Sequence, residues 1–226
     1  MKKILGLSLV LVVMAALSST SLPLVAMAST SDAPSAWATQ EVNTAISHGL
    51  VPQSLRSNYT QATTRAEFAA LAVAMYENIN GEITGRRTFT DTSDVNVQKA
   101  AYIDVVMGVG NNRFDPNGTL TREQAAVMLV RLSDTMGHSF SRQAPTFAYN
   151  AQVSSWAVEG VGRAQAAGIM GGVGNNMFSP QGSYTREQSI VTIARTFNAV
   201  VGDSLTGVEG EGMVDHPDQV GNFNKE

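Results

Sequence analysis

Two segments of this 226-residue chain are near copies of each other. Residues 108–124 read GVGNNRFDPNGTLTREQ and residues 172–188 read GVGNNMFSPQGSYTREQ, with identity at 12 of 17 positions. A more divergent third copy runs from His48 to Tyr76. An internal repeat of this kind indicates one supersecondary unit used several times, and a single unit cannot bury its apolar face alone. The chain is therefore constrained to a fold in which three similar units pack against one another.

Each copy contains the start of a helix. The sequences TRAE at 64–67 and TREQ at 121–124 and 185–188 place Thr three residues before Glu or Gln, which is a capping box. The Arg after each Thr then falls at the first helical position, where the positive end of the helix dipole disfavours a cation by up to about 1 kcal/mol. Each start precedes apolar residues at i, i+3, i+4 and i+7, which predict a buried helix face. These residues are Phe68, Leu71, Ala72 and Met75; Ala125, Met128, Leu129 and Leu132; and Ile190, Ile193, Ala194 and Phe197.

A shorter helix is predicted before each loop, as in Trp37–Ile46. In the outer copies a Trp stands 12 residues before Gly49 or Gly168, and such a Gly fits a helix C-cap with positive φ. Asp104 takes the place of this Gly in the middle copy, and Asp tolerates the left-handed region better than most residues do. The pattern predicts a helix, a loop and a second helix in every unit.

The loops of the second and third copies share further features. Phe114 and Phe178 are expected to pin their loops to the body of the protein. Gly110 and Gly174 are expected to allow tight turns, although glycine also permits a ligand to approach the backbone closely. The sequence leaves both interpretations open. If a ligand does approach the backbone here, the two glycines are candidate binding residues.

The fold class expected from these elements is all-α. Unit 1 comprises residues 36–80, unit 2 residues 86–138 and unit 3 residues 144–200. The second helices of the three units are expected to form a central three-helix bundle, because each carries one apolar stripe that must be buried. The first helices and the loops would then lie outside, with grooves between the units.

The ends of the chain have a different character. Residues 1–28 combine a basic start, a short apolar run and an Ala-Met-Ala site, which predicts a secretory signal peptide cleaved after Ala28. The apolar run is short for a membrane span. A linker is expected at 29–35. Residues 201–226 are acidic and rich in Gly, which is typical of a flexible tail.

Composition excludes several kinds of chemistry. The chain has no Cys, so disulfides, thiol nucleophiles and Cys-ligated zinc are excluded. Its net charge of −4 offers no basic excess to hold a nucleic acid. The three histidines, at 48, 138 and 216, show no metal-ligand spacing. We therefore expect no enzymatic activity and no metal or other cofactor.

The three units resemble a known family, the S-layer homology domain. The resemblance rests on a Trp-Ala helix, a loop with Phe-x-Pro and then Thr-Arg-Ala-Glu or a near relative, three times in order over residues 36–198. The family's Phe-x-Asp motif is clear at 89–91, which ends in Asp91. Members are all-helical, and three repeats form one pseudo-threefold unit.

The resemblance also implies a function. Members of the family hold bacterial surface proteins to an anionic secondary polysaccharide of the cell wall, which often carries pyruvate ketals. Secretion to the cell surface follows from this, with no membrane insertion after signal cleavage. The motif arginine takes part in binding, and the matching positions here are Arg65, Arg122 and Arg186. Arginine suits this role because it takes a carboxylate through two parallel hydrogen bonds.

Alternatives remain at this stage. Each motif arginine could instead pair with an acidic neighbour and only order its loop, with Glu67, Glu123, Glu187 and Asp91 as the candidates. Trp37 and Trp156 could line a groove and stack on a sugar, or belong to the core. The whole domain could serve self-assembly or binding to other surface proteins without binding a glycan, and enzymatic wall turnover is the weakest alternative.

Overall fold

The computed structural model describes residues 32–202, and this part of the protein is all-helical, as predicted. It contains isolated β-bridges but no strand within these residues. The predicted signal peptide and acidic tail lie outside the described residues. In the described part, no helix is long and apolar enough to cross a lipid bilayer. The α-helices are α1 Thr39–Ser47, α2 Arg65–Asn80, α3 Val95–Tyr102, α4 Arg122–Thr135, α5 Val158–Ala166 and α6 Arg186–Val201, with 3-10 turns at Gln53–Leu55 and Asn150–Gln152.

The three long helices begin where the capping boxes predict. In α2 the Thr64 hydroxyl accepts a hydrogen bond from the Glu67 backbone N–H at 3.2 Å, and the Glu67 carboxylate accepts one from the Thr64 N–H at 3.0 Å. The same reciprocal bonds open α4 and α6, with Gln at the third helical position. The motif arginine is the first residue of each of these helices.

The predicted apolar stripes form the core. All twelve stripe residues of α2, α4 and α6 are buried. These three helices contact one another, and each first helix packs on the second helix of the preceding unit. Thus α3 packs on α2, α5 on α4 and, returning from the last unit to the first, α1 on α6. The contacts between units therefore run in a closed cycle.

The ends of the first helices confirm the turn predictions. Gly49 and Gly168 have φ values of +73° and +71°. Asp104, at the equivalent place in unit 2, has φ +58°. All three residues lie in the left-handed region that lets the chain leave the helix and enter the loop.

The Gly-Asn-Asn segments form tight turns. Asn111 and Asn112 have φ values of +49° and +53°, which are the two positive values of a type I′ turn. The Val109 N–H donates to the Arg113 carbonyl at 2.7 Å, and the Arg113 N–H donates to the Gly110 carbonyl at 2.9 Å. Unit 3 repeats this turn after Gly174, with the Met177 N–H donating to its carbonyl at 2.8 Å. Turn geometry therefore accounts for these glycines.

Candidate functional site

The first motif arginine is buried and reaches into the next unit. Arg65 begins α2 in unit 1, but its Nε donates to the Phe114 carbonyl at 2.9 Å and its Nη2 donates to the Met107 carbonyl at 2.6 Å, both in the loop of unit 2. The guanidinium lies 4.6 Å from the centre of the Phe114 ring. Burial lowers the pKa of Arg65, and the nearby Asp115 and Asp91 partly offset this effect.

The second motif arginine repeats this arrangement one unit further on. Arg122 is only 1% exposed. Its Nε donates to the Phe178 carbonyl at 2.9 Å and its Nη2 to the Gly171 carbonyl at 2.7 Å. The guanidinium lies 5.0 Å from the centre of the Phe178 ring. Phe114 and Phe178 are buried and therefore anchor their loops to the body of the protein, as predicted. A motif arginine of the preceding unit lies over each ring.

The third motif arginine connects the last unit to the first. Arg186 donates from Nη1 to the Ser57 carbonyl at 2.5 Å and from Nη2 to Oε1 of Glu67 at 2.5 Å. Among the described residues its buried Nε has no hydrogen-bond partner. Of the acidic neighbours considered from sequence, Glu67 is thus the one that pairs with a motif arginine. All three arginines order a neighbouring loop.

The backbone at the start of each long helix is engaged by the same loops. The Arg65 N–H donates to the Gly118 carbonyl at 2.8 Å, and the next N–H donates to the Pro116 carbonyl at 3.1 Å. The corresponding N–H groups of α4 donate to unit 3 and those of α6 donate to unit 1. The carbonyl oxygens around each guanidinium carry partial negative charge, which explains how the chain tolerates a cation at the positive end of the helix dipole.

The other acidic residues considered as partners, Glu123, Glu187 and Asp91, accept hydrogen bonds from backbone N–H groups. Glu123 accepts hydrogen bonds from the N–H of Ser154 at 2.9 Å and from its hydroxyl at 2.8 Å, and Glu187 binds Ser35 in the same way. Asp91 accepts from the N–H groups of the residues at 114 and 115, both at 2.8 Å. The first of these hydrogen bonds is the main reason why the pKa of Asp91 lies below its ordinary value. These carboxylates bind polar groups of their own chain.

Each interface between units also carries an ion pair that joins its first helix to the second helix of the preceding unit. Glu77 of α2 binds Lys99 of α3 at 2.6 Å, and Asp134 of α4 binds Arg163 of α5 through both of its carboxylate oxygens. The third interface uses Arg195 of α6, which reaches both oxygens of Glu41 of α1, at 2.9 Å and 3.1 Å.

An open groove of about 200 Å³ lies at the interface of α4 and α5. It brings together two residues singled out from sequence, Arg65 and Trp156, and Trp156 is 57% exposed. Trp37 is instead half-buried against the core, and its indole N–H is buried without an acceptor in the described part of the chain. The groove is lined by Arg65, Met107, Gly108, Gln124, Val127, Met128, Arg131 and Trp156.

Among the charged residues that line this groove, sequence reasoning missed Arg131. It follows the motif arginine by nine residues, and the same offset leads to Arg195 in unit 3 and Ala74 in unit 1. Comparing this position across the three copies would have singled it out. Asp91, Gly110 and Gly174 do not line the groove.

Within residues 32–202 there is no group of three or more side chains that could hold a metal ion. Several of the described charged residues pair with one another across the interfaces between units. These contacts join the loops and helices of neighbouring units into one scaffold.

Comparisons with known proteins agree with the repeat. The family model "S-layer homology domain" matches residues 88–126 and 151–188. The chain is 27% identical over 164 residues to an amylopullulanase of Thermoanaerobacterium thermosulfurigenes, covering 70% of this chain and 9% of that protein. It is 30% identical over 141 residues to an endoglucanase of Bacillus sp. (strain KSM-635), covering 60% of this chain and 15% of that protein.

The chain therefore spans only a small part of the length of these two relatives. The two matched segments fall in units 2 and 3, and unit 1 shares their helix starts and their contacts with neighbouring loops. Units 2 and 3 thus each carry a match to the S-layer homology domain, and unit 1 repeats their construction.

Proposed function

We propose that this protein is a cell-surface module that attaches non-covalently to the bacterial cell wall by binding a carboxylated, specifically a pyruvylated, polysaccharide in grooves between its units. The observation that carries the proposal is the groove beside α4 and α5. Two of its lining residues are arginines, none is acidic, and one is an exposed Trp. Arginine provides charge-assisted hydrogen bonds to a carboxylate, and an aromatic face packs well against an apolar sugar surface.

The proposal includes the arrangement of the units. We place unit 1 at 36–80, unit 2 at 86–138 and unit 3 at 144–200, related by a pseudo-threefold axis along the α2, α4 and α6 bundle. The cyclic order of the interfaces supports this arrangement. Each motif arginine, and the backbone N–H groups at each helix start, donate hydrogen bonds to the loop of the following unit, and unit 1 follows unit 3.

The motif arginines have a double role in this proposal. Each binds a carbonyl of a neighbouring loop, so all three shape the groove walls and supply positive potential, and Arg65 also lines the open groove itself. Arg122 and Arg186 are more deeply buried and support binding indirectly, by fixing the loops at the other contacts between units. Asp91, Gly110 and Gly174 support binding by fixing the loops that border the grooves. Trp156 provides the sugar-stacking face, and Trp37 supports the interface of α6 and α1 by packing against the core.

Binding to purified wall polysaccharide tests the proposal. Residues 29–226 would be titrated calorimetrically with the polymer before and after chemical removal of its pyruvate. We expect binding to the native polymer and a loss of most of the affinity after the carboxylate is removed. Equal binding to both forms would refute the role of the carboxylate, and binding to neither form would refute wall attachment through this polymer.

Exposed apolar side chains at the loops favour a second candidate, self-assembly. Met107 and Val109 of unit 2 and Tyr149 of unit 3 are large, apolar and about half exposed or more. A surface of this kind can associate with a second copy. Sedimentation of the chain between micromolar and millimolar concentrations tests this candidate, and a monomer over the whole range would refute it.

A further inference from the structure

The three interfaces between units differ at two helix positions. The position nine residues after the motif arginine is Ala74 in α2, Arg131 in α4 and Arg195 in α6. In the packed first helix, the position four residues after the Trp position is Asn96, Gly160 or Glu41 in the same order. A long cation thus occurs at two interfaces, and an acidic partner at that position occurs at only one of them.

The interface of α6 and α1 shows what such a cation binds. Arg195 holds the Glu41 carboxylate through two nitrogen atoms, at 2.9 Å and 3.1 Å. Both side chains are mostly buried, with 16% and 15% of their surfaces exposed. A carboxylate already occupies this position, so the interface is closed by the protein itself.

The interface of α4 and α5 lacks that carboxylate. Gly160 replaces the acidic residue, and a Cβ added to it would lie 2.6 Å from a methyl carbon of Val127, so the two helices pack closely here. Arg131 is half-buried and makes no side-chain hydrogen bond or ion pair within residues 32–202. Asp134, an acidic residue of α4, lies nearly one turn beyond Arg131 and is engaged by Arg163, and Glu123 at the start of α4 is engaged by Ser154. Arg131 is thus a cation in a groove whose lining residues include no acid.

The aromatic residue beside this cation is also the accessible one. Trp156 is 57% exposed and lines the groove together with Arg131. The equivalent residue at the closed interface, Trp37, packs against the core, and the third interface has Thr92 at this position. A cation without a partner and an exposed aromatic face therefore coincide at one interface within the described residues.

We infer that the groove of Arg131 and Trp156 is the site that reads the carboxylate of the glycan, with the ligand's carboxylate taking the place on Arg131 that Glu41 takes on Arg195. The sugar that bears this carboxylate stacks on Trp156. This inference rests on the proposed function and narrows it, because it assigns carboxylate recognition to one groove and to an arginine outside the Thr-Arg motif. It gives one carboxylate-reading site for each chain.

Matched pairs of variants test the inference, since each groove residue has a counterpart at the closed interface. The substitutions are Arg131→Gln with Arg195→Gln as its control, and Trp156→Ala with Trp37→Ala. Each protein, as residues 29–226, is titrated with purified wall polysaccharide in native and pyruvate-free form. Circular dichroism and thermal unfolding establish that each variant is folded at the temperature of the titration.

We expect R131Q to lose about tenfold to a hundredfold in affinity for the native polymer, which corresponds to the loss of a charge-assisted ion pair. On the pyruvate-free polymer, R131Q and the wild type should bind equally. R195Q should bind within about twofold of the wild type and unfold at a lower temperature, because it leaves Glu41 without its partner. W156A should lose about tenfold in affinity or more, while W37A should mainly lower the unfolding temperature.

Two failures are distinguishable. If the wild type binds the native polymer but R131Q binds it equally well, the assignment of the groove is overturned while the proposed function stands. If the wild type does not bind the polymer at all, the proposed function itself fails. An equal loss for R131Q and R195Q on the native polymer would also overturn the assignment, since the two positions would then be equivalent.

Discussion

Arg122 offers the sharpest test of how the units are held together. It is 1% exposed and donates to two carbonyls of the next unit, at 2.9 Å and 2.7 Å, over the face of the Phe178 ring. A hydrogen bond to a charged group contributes about 1.5–3 kcal/mol, and a cation over an aromatic face adds about 0.5–2 kcal/mol. Removing a buried charge recovers part of its solvation energy. We expect R122A to lose about 4 kcal/mol of unfolding free energy, against totals of about 5–15 kcal/mol for natural proteins.

The assay for this prediction is unfolding of residues 29–226 by urea and by heat, followed by circular dichroism. For a domain of this size, about 4 kcal/mol corresponds to a decrease of roughly 8–16 °C in the unfolding temperature. The matched control is R131A, which removes a half-buried arginine without a described partner and should change stability by less than about 0.5 kcal/mol. An R122A protein that unfolds within about 2 °C of the wild type would refute the view that this arginine locks the loop of unit 3.

Three further outcomes follow from individual contacts. E123A should cost about 2–3 kcal/mol in urea unfolding, because it leaves the N–H and the hydroxyl of Ser154 without their acceptor, and an unchanged midpoint would contradict this role. Burial alone would raise the pKa of Asp134, but hydrogen bonds, chiefly from Arg163, bring it below its ordinary value. The stability that Asp134 contributes is therefore fully present above the unfolded Asp pKa of about 3.9 and is lost as the pH falls through the lower folded pKa. The difference in unfolding free energy between wild type and D134N should therefore narrow on acidification. A difference that stays constant with pH would contradict a stabilising role of the Asp134 carboxylate. D104G should stabilise the protein by up to about 1 kcal/mol in thermal unfolding because the φ of +58° suits glycine, and a loss of stability would argue against relief of strain there.

The helix starts were predictable because they are local. A capping box joins residues three apart, and the apolar spacing that follows it depends only on the periodicity of one helix, so Thr64 and the stripe behind it could be read directly. The left-handed position at Asp104 was also predictable, since its counterparts in the other copies are glycines. These features are specified within one unit.

The hydrogen-bond partners of the motif arginines could not be predicted from local sequence. Arg65 is 49 residues from the carbonyl of Phe114, and Arg186 is 129 residues from that of Ser57, so their partners depend on how the units face one another. The family resemblance drew attention to these arginines and away from Arg131. The repeat did contain the signal for Arg131, because the three copies differ at that position.

The closed cycle of contacts has a consequence for how this protein folds. A linear array of repeats can fold one unit after another, because each unit contacts only its neighbours in sequence. Here α1 packs on α6, and Ser35 is held by Glu187, 152 residues away, so unit 1 lacks part of its packing surface until the last helix has been made. Pairings this distant in sequence carry a large loop-closure cost and slow folding. The three units should therefore fold and unfold in a single cooperative transition, and a fragment that lacks α6 should not keep the native packing of α1.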